Sequence, residues 1–304
     1  MSDGSRHSLG FIVETIENTT PSNPAFQVLR NAGVTLALTK DSLMSEEIRS
    51  DRQKYDMRQG ANKVIGDISI ELSYGTFDSL LEALLGGTWD GNVVKAGTTR
   101  RSFTFERNFA DMTKPYHRFT GVQLDKLQLT VNANAIIKGQ FSVFGRGASA
   151  PSATILSGAT YVSPSVTHVF DSFTGTISEG GSPIAVITEI QINISNGLGA
   201  RHIVGSKNSL TPSIAWFDIA GTVTAWFTDT TMLEKFITET ESSISFTLTD
   251  VDANSLTFNI PRVKYTGAPP DVKGIGPITL AMPFQALLDT GTSSNIVLTR
   301  APAT

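Results

Sequence analysis

The sequence predicts a mainly β protein made of two repeated antiparallel sandwich or barrel units, each with one short α-helix. Three observations predict it. Ser, Thr, Gly and Asn are plentiful while charged residues make up only 17% of the chain, which favours strands and polar turns over long helices. A segment with strand period passes directly into one with helix period. The same order of elements is then written again about 155 residues later.

In Asp67-Ile68-Ser69-Ile70-Glu71-Leu72-Ser73 apolar and polar residues alternate, as in a strand with one buried face. After Tyr74-Gly75, Phe77, Leu80, Leu81, Leu84 and Leu85 mark one face of a short helix over residues 76–85. Thr76 suits its N-cap, and Gly86-Gly87 supplies the stop. The second copy reads Thr222-Val223-Thr224-Ala225-Trp226-Phe227-Thr228, then Met232, Leu233, Phe236 and Ile237 as a helix over residues 230–238, capped by Asp229 or Thr230. Upstream, the strand at Val34 to Leu38 corresponds to the one at Ile190 to Ile194. Downstream, Ser102 to Phe105 corresponds to Ile244 to Leu248, and Gly139 to Phe144 to Pro277 to Met282. Six elements in the same register imply an internal duplication. The units are expected at residues 1–148 and 184–304. Residues 149–183, rich in Gly, Ser and Pro, form a linker or an excursion with some strand content, in which Tyr161-Val162 and His168-Val169-Phe170 are able to pair locally.

Composition narrows the function. With 304 residues there is room for two cores. No cysteine is present, which excludes disulfides, thiolate metal sites and cysteine nucleophiles and suits a reducing cytosol. A formal net charge of −4 opposes general attraction to phosphate backbones. The excess is concentrated late: residues 1–150 carry 17 basic and 16 acidic side chains, the remainder 7 and 12. The polar stretch Met1 to Gly10 does not read as a signal peptide, and no apolar run approaches the ~20 residues that span a bilayer. A soluble chain with no membrane partner is expected.

Catalytic and metal signatures are missing. His7, His117, His168 and His202 are scattered, without carboxylates or second histidines at ligand spacing. Nucleophile elbows, phosphate loops and zinc-protease helices do not occur, so no catalytic residue, metal or cofactor is expected. Asp250-Val251-Asp252-Ala253-Asn254 begins like a calcium loop, but Ser255 and Pro261 break the pattern, and a hairpin turn is expected. Trp216 and Trp226 are placed in the repeated strands as core or interface residues, and with Trp89 they are the only candidates for stacking on sugars. The unusual stretch is residues 40–63, with six basic and five acidic side chains between two strands. It reads either as a solvated loop or as a segment that orders against a neighbouring subunit, helped by Leu43, Met44, Ile48, Tyr55 and Met57. Residues 196–213 form its shorter counterpart.

Ser45-Glu46-Glu47-Ile48-Arg49-Ser50-Asp51-Arg52-Gln53, Gly66-Asp67-Ile68-Ser69-Ile70-Glu71-Leu72 and the helix after it resemble the tail tube (major tail) subunits of siphophages. The resemblance is clear over residues 28–87 and rests on element order beyond them. It implies a non-enzymatic structural subunit whose inner strands join around a β-barrel lumen, often acidic, that passes genomic DNA. It also implies that the long loop, through Glu46, Glu47, Arg49, Asp51 and Arg52, contacts the adjacent ring. The expected partners are further copies of the chain, in a ring of three with pseudo-sixfold symmetry, then the tape measure protein, phage DNA, and tail terminator and distal tail proteins. The expected location is the virion tail tube, after assembly in the host cytoplasm. The alternative is a phage baseplate or lectin-like β-sandwich binding module; a hydrolase has least support.

Overall fold

Twenty strands and two short helices make up the computed structural model, which describes residues 3–268, 270–271 and 274–303. The first set runs β1 (His7–Val13), β2 (Ala25–Leu29), β3 (Gly33–Val34), β4 (Ala37–Met44), β5 (Met57–Glu71), helix α1 (Asp78–Leu85), β6 (Val93–Lys95), β7 (Phe103–Phe109), β8 (Tyr116–Asn132), β9 (Lys138–Gly145) and β10 (Gly147–Ala148). After β11 (Thr160–Val162) come β12 (Thr176–Glu179), β13 (Ser182–Pro183), β14 (Ile187–Ser195), β15 (Asp218–Trp226), helix α2 (Thr231–Ile237), β16 (Ser242–Thr249), β17 (Ser255–Tyr265), β18 (Pro270–Asp271), β19 (Thr279–Ala286) and β20 (Val297–Ala301). Strands β12 and β13 fall inside the stretch read from sequence as linker.

Pairing in the two sets follows one order. In the first, one sheet runs β2-β1-β7-β8-β10 and the other β3/β4-β5-β9-β8. In the second, the orders are β13-β12-β16-β17-β20 and β14-β15-β19-β17. Long strands make this possible. Strand β8 pairs with β7 through residues up to Val122 and with β9 from Gln123 onward, so it belongs to both sheets, and β17 plays the same part. Details repeat as well. The Ser102 hydroxyl donates to the buried Glu14 carboxylate at 2.6 Å beside the end of β1; the Ser242 hydroxyl donates to the buried Glu179 at 2.5 Å at the end of β12. Gly66 and Gly221 sit where a Cβ would meet backbone atoms of the neighbouring strand, at 2.5 Å (Leu36) and 2.3 Å (Gln191).

One continuous apolar cluster fills the space between the sheets across both sets. Helix α1 buries Leu80, Leu81, Leu84 and Leu85 in it, each contributing about 1.5–3 kcal/mol. Its start differs from expectation: Phe77 is the N-cap, and Thr76 instead bonds Ser73 at 2.6 Å. Gly86 ends it in the left-handed conformation, φ 63°. Helix α2 is far less covered, burying only Met232 while Ile237 is exposed. The turn at Asp250 joins β16 to β17, its carboxylate accepting from the Asp252 and Asn254 amides at 3.0 and 2.8 Å. Trp216 departs from expectation: it precedes β15 and is 90% exposed.

At the start of β1, Arg107 Nε donates to His7 Nε2 at 3.1 Å. Burial, and then the Arg107 charge, hold the His7 imidazole below its ordinary value of 6.5. The folded chain therefore binds this proton less readily than the unfolded chain. The resulting stability is full above pH 6.5 and is lost as pH falls toward the lower folded value. Thermal unfolding at pH 7.5 and pH 5 should show a smaller drop in Tm for His7→Gln than for the wild type.

Candidate assembly interfaces

The charged stretch is a hairpin, not a loop of about 25 residues. Strands β4 and β5 continue as paired arms as far as Met44↔Met57, leaving residues 45–56 as the tip. Both faces of the β4 arm are largely solvated, so the alternation that marks a half-buried strand is missing from its sequence. The tip carries Glu46, Glu47, Arg49, Asp51 and Arg52 together. Arg49 and Asp51 pair with each other at 2.9 Å, and Arg49 also lies over the Tyr55 ring at 4.7 Å. Apolar groups stand beside these charges, with Ile48 wholly exposed and Tyr55 72% exposed. From Asn62 to Met57 the arms reach about 17–20 Å. The second-set counterpart is folded back instead: Asn62 N donates to Lys207 O at 2.7 Å, and Arg146 Nε to Ser209 O at 2.8 Å.

The stretch between the sets packs onto the first set. Tyr161 and Val162 pair in parallel with β2, and Val169 bridges Ser73; these segments do not pair with each other, as the sequence suggested. Phe170 is fully buried, its N–H donating to Leu72 O at 2.8 Å and its carbonyl accepting from Ile137 N at 3.0 Å. Thr167 spans the groove beside α1, its carbonyl accepting from Arg30 on one wall and its hydroxyl donating to Tyr74 O on the other. In the second set the matching groove, between residues 184–186 and the start of α2, is open, with a volume of about 420 Å³.

The two sets join edge to edge. Residues Lys126–Asn132 of β8 pair antiparallel with Glu189–Ser195 of β14, in register Leu129↔Ile192. This makes one sheet, β4-β5-β9-β8-β14-β15-β19 with β17 and β18 beyond, whose apolar face packs on the core. Its other face is polar and weakly charged. Asp67, Glu71, Glu189 and Asp218 stand against Lys126, Lys138 and Lys264, separated by amides and hydroxyls such as Gln128, Gln191, Asn193 and Thr222. Both outer edges are unpaired among the described residues. At one end β3 and β4 pair only with β5; at the other, the chain after Tyr265 pairs only with β19, through Thr266 N to Pro283 O at 2.8 Å and through β18. In strand order these are the counterparts of the edges that meet in the internal joint.

A model of the phage tail tube protein family matches residues 4–286. The chain belongs to the phage tail tube protein family. Tail tube proteins are structural components of the virion tail that self-assemble into a tube with other phage proteins. No curated protein matches the chain. The mainly β fold of this tail tube protein agrees with the class expected from its sequence. Among the described residues, no group of three or more His, Cys, Asp or Glu side chains is placed to hold a metal. No helix among them is long and apolar enough to cross a membrane.

Two groups with raised values in this tail tube protein, Tyr265 and Asp78, lie within the packing. Burial pushes the Tyr265 phenol well up, reinforced by the Glu179 charge and by its hydrogen bond to Glu179 at 3.1 Å. Burial also raises the Asp78 carboxyl, although Arg300 binds it; Arg300 lies over Trp89 at 4.5 Å and so ties β20 to the start of α1. The sequence pointed to the hairpin through its charge density. The free edges and the open groove carried no such signal, because what defines them is the partner each lacks.

Proposed function

We propose that three copies of this chain close a ring through strand pairing, and that the rings stack into a tube whose bore conducts the phage genome. The internal joint between β8 and β14 carries this reading. The chain is taken to hold two copies of one fold, over residues 1–148 and 184–304 with residues 149–183 between them. A joint of the same kind between the edge after Tyr265 of one chain and β3–β4 of the next would satisfy both open edges. Each fold brings four strands to the shared sheet, so three chains bring about 24; at ~4.8 Å spacing and ~40° tilt these close a barrel about 48 Å across its backbone. Side chains of ~5 Å on each wall leave roughly 38 Å, ample for a duplex about 20 Å wide.

The polar face would then line the bore. Its small acidic excess among amides and hydroxyls offers phosphates no cationic track, so DNA slides instead of binding. The hairpin, with Glu46, Glu47, Arg49, Asp51 and Arg52, contacts the adjacent ring. Exposed ion pairs are worth ~0–1 kcal/mol each, so their contribution is register, repeated around the ring. The tape measure protein and then DNA occupy the bore, while terminator and distal tail proteins bind the two ends. The subunit performs no catalysis, and assembly occurs in the host cytoplasm. Negative-stain microscopy of the purified protein tests the reading: hollow tubes of uniform width are expected, and a chain that stays monomeric at all concentrations contradicts it.

A further inference from the structure

The groove beside α2 is an incomplete copy of one that the chain itself completes. In the first set, Thr167 spans the space between the β2 end and the start of α1, and Phe170 follows it along the end of β5, bonded to Leu72 and Ile137. In the second set, nothing among the described residues fills the corresponding space, which is walled by Ile184, Val186, Phe227 and Met232. Apolar surface is left uncovered there: Trp226, on its wall, is 44% exposed.

The other half of the contact is also single. One hairpin per chain stands free, because the second-set counterpart is folded onto Asn62 and Arg146. The two features lie at opposite ends of the shared sheet. Four successive antiparallel pairings separate β5 from β15, so these two strands run parallel. The hairpin tip precedes β5, whereas the groove follows β15. A contact between them is heterologous and does not close on itself, so it propagates along one axis.

We propose that the hairpin tip of one copy, led by Ile48 and Tyr55, docks in the groove beside α2 of a second copy in the adjacent ring. This rests on the tube reading and names the receptor that the hairpin would reach. An extended segment there replaces what Phe170 supplies in the first set: an apolar side chain for the cavity and backbone groups for the strand ends. The charged residues of the tip stay at the rim, beside Asp229 and Lys235, and Ile48 enters.

Because the chain has no cysteine, cross-linking reads the contact directly. Tubes of an Ile48→Cys/Thr228→Cys double variant, treated with a short bismaleimide, should give a ladder of covalent oligomers, while either single variant gives none. Ala185→Arg, which fills the groove mouth from an exposed position, should shorten tubes about tenfold and leave single rings intact. Normal tubes that yield no ladder, or tubes of normal length from Ala185→Arg, overturn the docking but leave the tube reading standing. If the unmodified chain forms no tubes, the tube reading fails and the docking falls with it.

Discussion

A chain in which residues 46–55 are replaced by an Asn-Gly turn folds normally and makes no tubes. The turn is chosen because Asn-Gly supplies the two left-handed residues that a two-residue hairpin requires, closing on Ser45 and Asp56, which already bond at 3.0 Å, and so keeping Met44 opposite Met57. The tip adds nothing to the core: its residues are absent from the apolar cluster, and its clearest ion pair, Arg49 to Asp51, is internal to it. Surface changes of this kind alter stability by at most ~0.5 kcal/mol, so Tm should hold. Ring-to-ring adhesion would lose every hairpin contact at one cross-section together, so the loss is multiplied by the copies in a ring. Size exclusion and microscopy check the outcome, and tubes of normal length from this variant would reduce the hairpin to solvated decoration.

The second large effect is expected at the ring edge. Thr35 N donates to Asp67 O at 2.9 Å, so the N–H groups of Val34 and Leu36 on either side of it point away from β5. Val34→Pro removes one of these outward donors and places a ring against any incoming strand, without breaking a bond inside the chain. Val34 is only partly buried, so the fold should lose about 1 kcal/mol or less. Ring formation should fail, leaving a folded monomer by sedimentation. If Val34→Pro chains assemble as the wild type does, β3–β4 is not the closing edge.

Much of the fold was legible because burial imposes periods. The passage from Ile68 and Ile70 to Leu80, Leu81, Leu84 and Leu85 marks β5 and α1, and Val223 and Ala225 followed by Met232 mark β15 and α2. Where burial is absent or remote, the signal fails. Lys40 to Met44 continues β4 with both faces in water, so it reads as loop. Phe170 looks like part of a polar linker, yet it is fully buried, and its backbone bonds to Leu72 and Ile137, far away in the chain. The β8–β14 joint is similarly silent, since Leu129 and Ile192 alternate as any half-buried strand would, and nothing local specifies the partner. Of the candidate interfaces, the hairpin residues were visible as a dense run of charge. The edges and the groove are defined by the correspondence between the two sets, which no local sequence pattern carries.

In the proposed tube, the two folds of each chain stand side by side around one bore. Symmetry analysis of tube images, by helical reconstruction or from top views of single rings, tests this most directly. Rings of three chains with a pseudo-sixfold lumen of about 24 strands are predicted, with β3–β4 of one chain beside the edge after Tyr265 of the next. True sixfold rings of intact chains, with residues 184–304 outside the bore, would contradict it.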